Sequence, residues 1–207
     1  MASSPSLQLY MARPSMAIDP SKFHLVNVAD TCSVWNLLSS VTLHSAAKEA
    51  RCEFCITSFV RYECLHKPRK KTPTAAETEL MRRLAQEQGR GGFAAHSCDI
   101  GDLQTLKLLE SRKRLGKGEL SSIAFAMKIG QAVITDDMKA RKLAEDSGHA
   151  HIQTTPHLFS WLIFKGRLGD SDKGTVIAQH QAMGRPLAPH FETAYEIALQ
   201  CRLNATR

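Results

Sequence analysis

The fold is decided by residues 118–137, whose sequence is Gly-Glu-Leu-Ser-Ser-Ile-Ala-Phe-Ala-Met-Lys-Ile-Gly-Gln-Ala-Val-Ile-Thr-Asp-Asp. Apolar residues recur at helical spacing in its first half, Gly130 predicts the end of that helix, and residues 131–135 form a short apolar run suited to an interior parallel strand. Asp136 and Asp137 follow this strand directly. Ligands bind at the carboxyl ends of strands in open α/β sheets, so the stretch predicts a functional site beside the two aspartates.

A third acid opens the helix of this stretch. Glu119 stands four and seven positions before Ile123 and Ala126, so it lies in line with the helix face that is expected to contact the sheet. Its carboxylate is therefore expected near the same sheet edge as the aspartates.

Size and charge narrow the class of protein. The chain has 207 residues, 43% of them hydrophobic, which suits one well-buried α/β core. The net charge of +7 favours an acidic partner, and nucleic acid ranks ahead of a membrane because no long apolar or basic amphipathic segment is present. Charge alone is equally typical of a merely basic protein. The six cysteines show no framework spacing, so reduced thiols and a cytoplasmic location are expected.

Strand and helix patterns alternate on both sides of the central stretch. The first predicted strand ends at Asp30, and a helix carrying Glu63 follows the second. The alternation implies parallel strands joined by right-handed crossovers. Besides 131–135, the predicted strands are 23–30, 54–58, a weak candidate over 93–98, and 151–155.

Helix boundaries have their own signals. Thr74 and Glu77 form a capping box that predicts a helix start. Pro156 predicts the first position of another helix, because proline is favoured there. Two more helices are expected at about 171–183 and 189–202.

The chain divides into three parts. Residues 1–22 are rich in serine and proline and lack the apolar core of a secretory signal, so a flexible tail is predicted. Residues 23–165 hold the strand and helix alternation. Residues 166–207 predict a helical extension packed on that domain.

Five acids come from four separate places in the chain: Asp30, Glu63, Glu119, Asp136 and Asp137. Such a cluster repels itself unless a hard cation lies within it, and oxygen ligands at this density suit Mg²⁺ or Mn²⁺ rather than zinc. One or two such ions can activate a water and clamp a phosphodiester. Taken singly, Asp30 is also typical of a helix N-cap and Glu63 of a solvated surface acid.

The order of these residues resembles that of the PIN-domain ribonucleases, including the toxins of VapBC-type toxin–antitoxin pairs. The similarity covers about residues 23–165. The segments that carry it are Val28-Ala-Asp30-Thr-Cys-Ser33, Glu63, Gly118-Glu119-Leu-Ser-Ser-Ile-Ala-Phe-Ala, and Ile134-Thr-Asp136-Asp137 followed by Ala140-Arg-Lys-Leu-Ala. The resemblance implies a three-layer α/β/α fold with a central, mainly parallel sheet. It also implies an endoribonuclease that depends on Mg²⁺ or Mn²⁺.

Residue roles follow from the same resemblance. It implies that Asp30, Glu63, Glu119 and Asp136 are catalytic and hold the metal, with Asp137 as a further ligand or outer acid. Thr31, Ser33 and Thr135 would then offer hydroxyls to the scissile phosphate or to a bound water. The family resemblance further implies a homodimer and, for a toxin, a small antitoxin protein that blocks the groove. The tail and the helices after Lys165 depart from the compact toxin pattern.

Basic residues cluster in two segments. If they flank the acids, they are predicted to contact RNA phosphates, which positions a strand without reading its sequence. The alternative is solvated charge on a loop and at a helix end. They are Lys67, Arg69, Lys70, Lys71, Arg112, Lys113, Arg114 and Lys117.

Other interpretations remain open at this point. In a catalytically silent PIN-like binding module, one acid would face outward or be bound by an arginine. A phosphohydrolase with an aspartyl nucleophile needs a second acid two positions later, and Asp30-Thr-Cys lacks it. A zinc site at Cys52, Cys55, Cys64 and His66 lacks a second Cys-x-x-Cys pair. His149, His151 and His157 are interpreted as surface or core histidines.

Overall fold

The computed structural model describes residues 18–68 and 71–205. Two of the predicted phosphate contacts, Arg69 and Lys70, lie outside the described residues, as do residues 1–17 of the predicted tail. The strands are β1 (Val26–Ala29), β2 (Glu53–Thr57), β3 (Ala94–His96), β4 (Ala132–Ile134) and β5 (Ile152–Gln153). The helices are α1 (Thr31–Ser39), α2 (Val41–Glu49), α3 (Ser58–Leu65), α4 (Ala75–Gly89), α5 (Ile100–Arg112), α6 (Lys117–Ile129), α7 (Met138–Asp146), α8 (Thr155–Phe164), α9 (Asp170–Ala182) and α10 (Ala188–Ala205).

The five strands form one parallel sheet in the order β3-β2-β1-β4-β5. The order reverses at β1, because the chain first builds outward through β2 and β3 and then returns to β4 on the other side. A switch point of this kind opens a crevice at the carboxyl ends of the two central strands. The predicted α/β class with a central parallel sheet is confirmed.

Helices cover both faces of the sheet, which makes three layers. Alternate strand residues point to opposite faces: Ala29 and Ile134 pack with Leu37 and Leu162 in one buried cluster, and Val28 joins the other. The first cluster is built mainly with α1, α2, α4 and α8 to α10, and the second with α5, α6 and α7. Strands β1, β2, β4 and β5 are therefore largely buried, whereas the edge strand β3 is exposed.

The local signals explain most element boundaries. Gly130 ends α6 in the left-handed conformation at φ 63°, which glycine adopts without steric cost. The Thr74 and Glu77 side chains form both bonds of the predicted capping box. Pro156 is the second residue of α8 rather than the first, because Thr154 caps the helix and Thr155 begins it.

The sequence reading did not predict α2. Its start is set by Ser40, whose extended backbone separates it from α1 and whose hydroxyl accepts a hydrogen bond from the Leu43 backbone N–H. Serine at this position is a strong N-cap, but no glycine or proline marks the break.

The two predicted carboxyl-terminal helices are present as α9 and α10. Val176, Phe191 and Ala198 are fully buried in the first cluster, so these helices share one core with the sheet domain. Among the helices within the described ranges, none combines the length and apolarity that a membrane crossing needs.

Candidate acidic site

The crevice at the switch point brings the predicted acids to one edge of the sheet. Asp30 directly follows β1, and Asp136 and Asp137 directly follow β4. Glu119 lies in the first turn of α6, and Glu63 lies in α3. We call the space between these five carboxyl groups the acidic cleft.

Asp30 is the most deeply buried of the five, with no exposed surface. Its Oδ1 caps α1 by accepting from the Ser33 backbone N–H at 2.7 Å, and its Oδ2 accepts from the Thr135 hydroxyl. Burial raises the pKa of the Asp30 carboxyl to about 7, and the neighbouring Asp136 adds to the rise, while the two hydrogen bonds oppose it. The N-cap interpretation is therefore correct, and it coexists with a place in the cleft.

Asp136 is fixed by three donors. The Asn36 amide donates to Oδ2 at 2.7 Å, and Thr155 donates from its hydroxyl to Oδ2 at 2.6 Å and from its backbone N–H to Oδ1 at 2.9 Å. Asp137 caps α7, where its Oδ1 accepts from the Lys139 and Ala140 backbone N–H groups. Each remaining carboxylate lone pair could still face a ligand, since a carboxylate oxygen accepts more than one bond.

Glu63 is not a solvated surface acid, because only 14% of its side chain is exposed. The Thr31 hydroxyl donates to its Oε2 at 2.7 Å, and Lys67 Nζ lies 3.6 Å from its Oε1. Gly118 makes this position possible. A Cβ on Gly118 would overlap Glu63 Oε2 and Thr31 Oγ1, so a larger residue here would require these two side chains to move.

Glu119 is the least satisfied acid. Its Oε2 is buried and, within the parts of the chain that the structure describes, has no hydrogen-bond partner. Burial raises the pKa of the Glu119 carboxyl, Glu63 and Asp137 raise it further, and Lys67 acts in the opposite direction. A buried polar atom without a partner requires an explanation, and an unseen ion or water is a common one.

The cleft carries little compensating charge. Among residues 18–68 and 71–205, Lys67 is the one cation within 4 Å of these five acids, and no arginine is bound to any of them. The donors are carboxylate oxygens, a set that suits Mg²⁺ or Mn²⁺. The side chains nevertheless do not form a closed coordination group: no cluster of three or more His, Cys, Asp or Glu in the described residues is arranged to hold a metal ion.

The predicted hydroxyls lie at the cleft but are already engaged or buried. Thr31 donates to Glu63. Thr135 is fully buried, donates to Asp30 and accepts from the Asp137 backbone N–H. Ser33 is fully buried as well. In this arrangement the Thr31 and Thr135 hydroxyls orient acids of the cleft, whereas the Ser33 hydroxyl has no hydrogen-bond partner among the described residues.

Of the predicted basic residues that the structure describes, Lys67, Lys71 and Lys117 lie beside the cleft, whereas Arg112 contacts the end of α7 that is opposite to Asp137. Lys67 and Lys71 line a groove of about 500 Å³ together with Glu63, so these two lysines border the cleft. Lys117 is the first residue of α6, two positions from Glu119. Arg112 ends α5 and lies 3.4 Å from the Ser147 hydroxyl, and Lys113 and Arg114 follow in the loop to α6.

Sequence reading missed two residues that hold Asp136. Asn36 is a lone amide between apolar neighbours in α1, and this polar interruption was the available signal. Thr155 gave a weaker signal, because a threonine before proline is typical of a helix start.

The carboxyl-terminal extension also reaches the cleft. Burial, Asp30 and Asp136 raise the pKa of the Cys32 thiol to about 12, and Arg185 opposes this rise. Arg185 lies in the loop between α9 and α10, so this loop is close to the first turn of α1. No local pattern in the sequence indicates this proximity.

By class, the chain is a three-layer α/β/α protein with an acidic cleft at the carboxyl edge of a parallel sheet. No protein-family model matches the sequence. No curated protein matches it at a significant level.

Proposed function

We propose that the protein is a PIN-like endoribonuclease that hydrolyses RNA phosphodiester bonds with Mg²⁺ or Mn²⁺ bound in the acidic cleft. The observation that carries the proposal is the meeting of five carboxyl groups from four chain segments at one sheet edge, with one cation in contact among the residues that the structure describes. Two of these groups, Asp30 and Glu119, have raised pKa values partly because other acids of the cleft lie close to them. An arrangement that costs stability in this way is typical of functional sites.

Asp30, Glu63, Glu119 and Asp136 are the residues that would hold the ion, with Asp137 beside them. A divalent ion bound there supplies charge neutralisation and a more acidic water for attack on phosphorus. The protein contributes orientation. The Ser33 backbone N–H and the Thr135 hydroxyl fix Asp30, and the hydrogen bonds to Asp136 and Glu63 fix those carboxylates before substrate arrives.

The basic rim would guide the RNA backbone. Lys67 and Lys71 border the groove beside Glu63, and Lys117 opens α6 next to Glu119. Contacts of this kind bind phosphates of any sequence, so the rim accounts for affinity and for its dependence on salt. A small antitoxin that covers this groove, and a homodimer, belong to the same proposal.

The central test is cleavage of single-stranded and structured RNA by the pure protein with Mn²⁺, Mg²⁺ or chelator. The variants are Asp30→Asn and Asp136→Asn. Asp146→Asn is the matched control, because Asp146 is exposed at the end of α7. Loss of a metal-holding acid is expected to reduce cleavage about 10²- to 10³-fold, since a bound ion contributes several kcal/mol to the transition state. Equal cleavage by all four proteins would identify a contaminating nuclease.

A second measurement does not need the right RNA. Mn²⁺ at about 100 times its dissociation constant is expected to raise the melting temperature of the wild type by about 5–10 °C, and to leave Asp30→Asn unchanged. The same shift in both proteins would place the ion outside the cleft.

The alternative is a catalytically silent PIN-like module that binds nucleic acid or protein. Both oxygens of Asp30 and both of Asp136 already accept hydrogen bonds from the protein, an arrangement that also serves a purely structural role. RNA binding that is unaffected by chelator and by Asp136→Asn, without cleavage, would favour this module.

A further inference from the structure

A second cavity adjoins the acidic cleft on the side of β5. It has a volume of about 570 Å³, within the range of small-molecule sites. Asp136 lines this cavity as well as the cleft, so the two spaces meet at that residue. The remaining wall comes from β5, from the segment of residues 18–24, and from the start of α10.

The wall of the cavity includes a cationic side chain with an unpartnered nitrogen. Arg141, on α7, lines the cavity, and the Arg141 Nε is buried without a hydrogen-bond partner among the described residues. No acid of residues 18–68 or 71–205 forms a salt bridge with this guanidinium. Arginine presents donors in a planar arrangement that matches the oxygens of a phosphate.

Two histidines line the same cavity as this arginine. The rings of His24 and His151 are 4.0 Å apart between centroids, and the His24 backbone N–H donates to the Gln153 side chain, which fixes its position. Burial lowers the pKa of His24, and the proximity of His151 and His157 lowers it further. The cationic form of His24 is thus disfavoured, and a bound anion would favour it.

The other charged groups of the lining are already committed. Lys22 pairs with Asp19 at 3.3 Å. The His157 Nε2 lies 2.9 Å from the Asp19 carbonyl oxygen, and its ring packs against Phe23, so His157 has a structural role. The Asp136 oxygens accept from Asn36 and Thr155. What remains for a ligand is Arg141 with His24 and His151, and the exposed His190 at the start of α10.

The rest of the wall is partly apolar, with Gln153, Thr154 and Thr193 as its polar members. Ile18, Ile152, Pro156 and Leu187 line the cavity. An apolar wall next to a cationic group fits a nucleotide, which has an uncharged base and sugar beside an anionic phosphate. A free inorganic anion would leave this wall unused.

We propose that this cavity binds one nucleotide of the RNA strand, with its phosphate on Arg141, His24 and His151, while the scissile bond lies at the acidic cleft. That the nucleotide belongs to an RNA strand rests on the proposed nuclease function. That the cavity binds a nucleotide is inferred from its volume and its lining residues.

Binding of adenosine monophosphate in the presence of chelator, measured by calorimetry, tests the site without catalysis. Arg141→Gln is expected to weaken binding about tenfold to a hundredfold, the usual loss for charge-assisted hydrogen bonds. Arg141→Lys keeps the charge but not the planar donors, and an intermediate loss is expected. Lys142→Gln is the matched control. Lys142 follows Arg141 in the sequence, but its side chain is exposed and does not line the cavity. Wild-type and Arg141→Gln proteins that bind equally, or no binding at millimolar nucleotide, would overturn the proposal.

Two further readouts separate this proposal from the nuclease function. Asp30→Asn is expected to bind the nucleotide as the wild type does, even though its cleavage is lost. For RNA cleavage, Arg141→Gln is expected to raise KM more than it lowers kcat, since it removes binding rather than chemistry. If nucleotide binding depends on Arg141 but the protein cleaves no RNA, the nucleotide site is supported and the nuclease function is contradicted. If Arg141→Gln cleaves RNA in a metal-dependent way with an unchanged KM, the nuclease function is supported. The proposal that this cavity binds a nucleotide of the RNA substrate is then contradicted.

Discussion

The two halves of the acidic cleft are built differently. In the aspartate half, formed by Asp30 and Asp136, every carboxylate oxygen accepts a hydrogen bond from the protein. In the glutamate half, formed by Glu63 and Glu119, one oxygen is buried without a described partner and one is near an exposed lysine.

The difference separates two tasks. Short aspartates directly after strands are held rigidly by the backbone and by neighbouring side chains, so they define where a ligand lies. Glu119 is a longer side chain on a helix, and its Oε2 has no described partner, so it can adjust to the ligand. A site that combines both is ordered before binding, yet it can close around a cation or substrate afterwards.

The largest expected effect concerns stability in the aspartate half. Aspartate in an unfolded chain titrates near about 3.9, whereas the pKa of Asp30 in the fold is about 7. The folded protein thus holds this proton more tightly, and its stability falls as pH rises between those two values. The loss is complete above about pH 7, with an upper bound of about 4 kcal/mol.

Asp30→Asn removes this titration while keeping an N-cap, since asparagine caps helices as well as aspartate. In chelator, its melting temperature is expected to exceed that of the wild type by an amount on the order of 5–10 °C at pH 8, and to differ little near pH 4. Thermal denaturation across pH checks this, with Asp146→Asn as the control. A difference that does not change with pH would contradict the assigned burial cost.

The second prediction concerns a substitution that displaces Glu63 in the glutamate half. Gly118→Ala places a methyl group against Glu63 and Thr31, which must move away. RNA cleavage is expected to fall by up to about 10²-fold, because a displacement of about 1 Å in a catalytic group can cost that much.

Gly174→Ala in α9 is the matched substitution, since nothing lies within 4 Å of its added Cβ. This variant should keep full activity and gain about 0.5–1 kcal/mol of stability from helix propensity. Equal activity of both alanine variants would show that Glu63 is not needed in its present position.

The third prediction compares the supports of the two halves. Thr155→Val removes the hydroxyl bond to Asp136, and Thr31→Val removes the one to Glu63. A metal affinity about 10- to 100-fold weaker is expected for Thr155→Val, the usual effect of losing an outer-shell partner.

A smaller loss is expected for Thr31→Val, because Glu63 retains Lys67 and can reorient. Mn²⁺ titration by calorimetry measures both. The reverse order would mean that the glutamate half is the more rigid one.

The smallest effect is expected at the basic rim. Lys67→Met should weaken RNA binding only a few-fold at moderate salt, and it should reduce the salt slope of log affinity by about one. Lys165→Met, at the end of α8 and away from the groove, is the control. An unchanged slope would mean that Lys67 neutralises Glu63 and touches no phosphate.

The sequence predicted the fold to the extent that local signals exist. Gly130, the Thr74 capping box and the apolar runs fix most boundaries, because glycine conformation, capping and periodicity act over a few residues. The start of α2 was missed, since a serine cap without glycine or proline is a weak mark. Pro156 was misplaced by one position because the cap, Thr154, lies earlier than expected.

The acids of the cleft could be predicted, but their partners could not. The acids occur at strand ends and helix starts, and in this fold class such positions lie together at the carboxyl edge of the sheet. Tertiary packing brings three other residues to the cleft: Asn36, Thr155 and Arg185. The local sequence around each of them does not indicate that it lies near the acids. Whether the acids bind an ion remains a prediction.

His180 links the end of the chain to the cleft. It is fully buried in α9, and its Nε2 lies 2.9 Å from the carbonyl oxygen of Asn36, the residue whose amide holds Asp136. A chain shortened after Lys165 would therefore expose α1. It would also remove the contact between His180 and Asn36, the residue that holds the Asp136 carboxylate. Efforts to engineer a minimal version of this protein should keep both terminal helices and place any affinity tag beyond them.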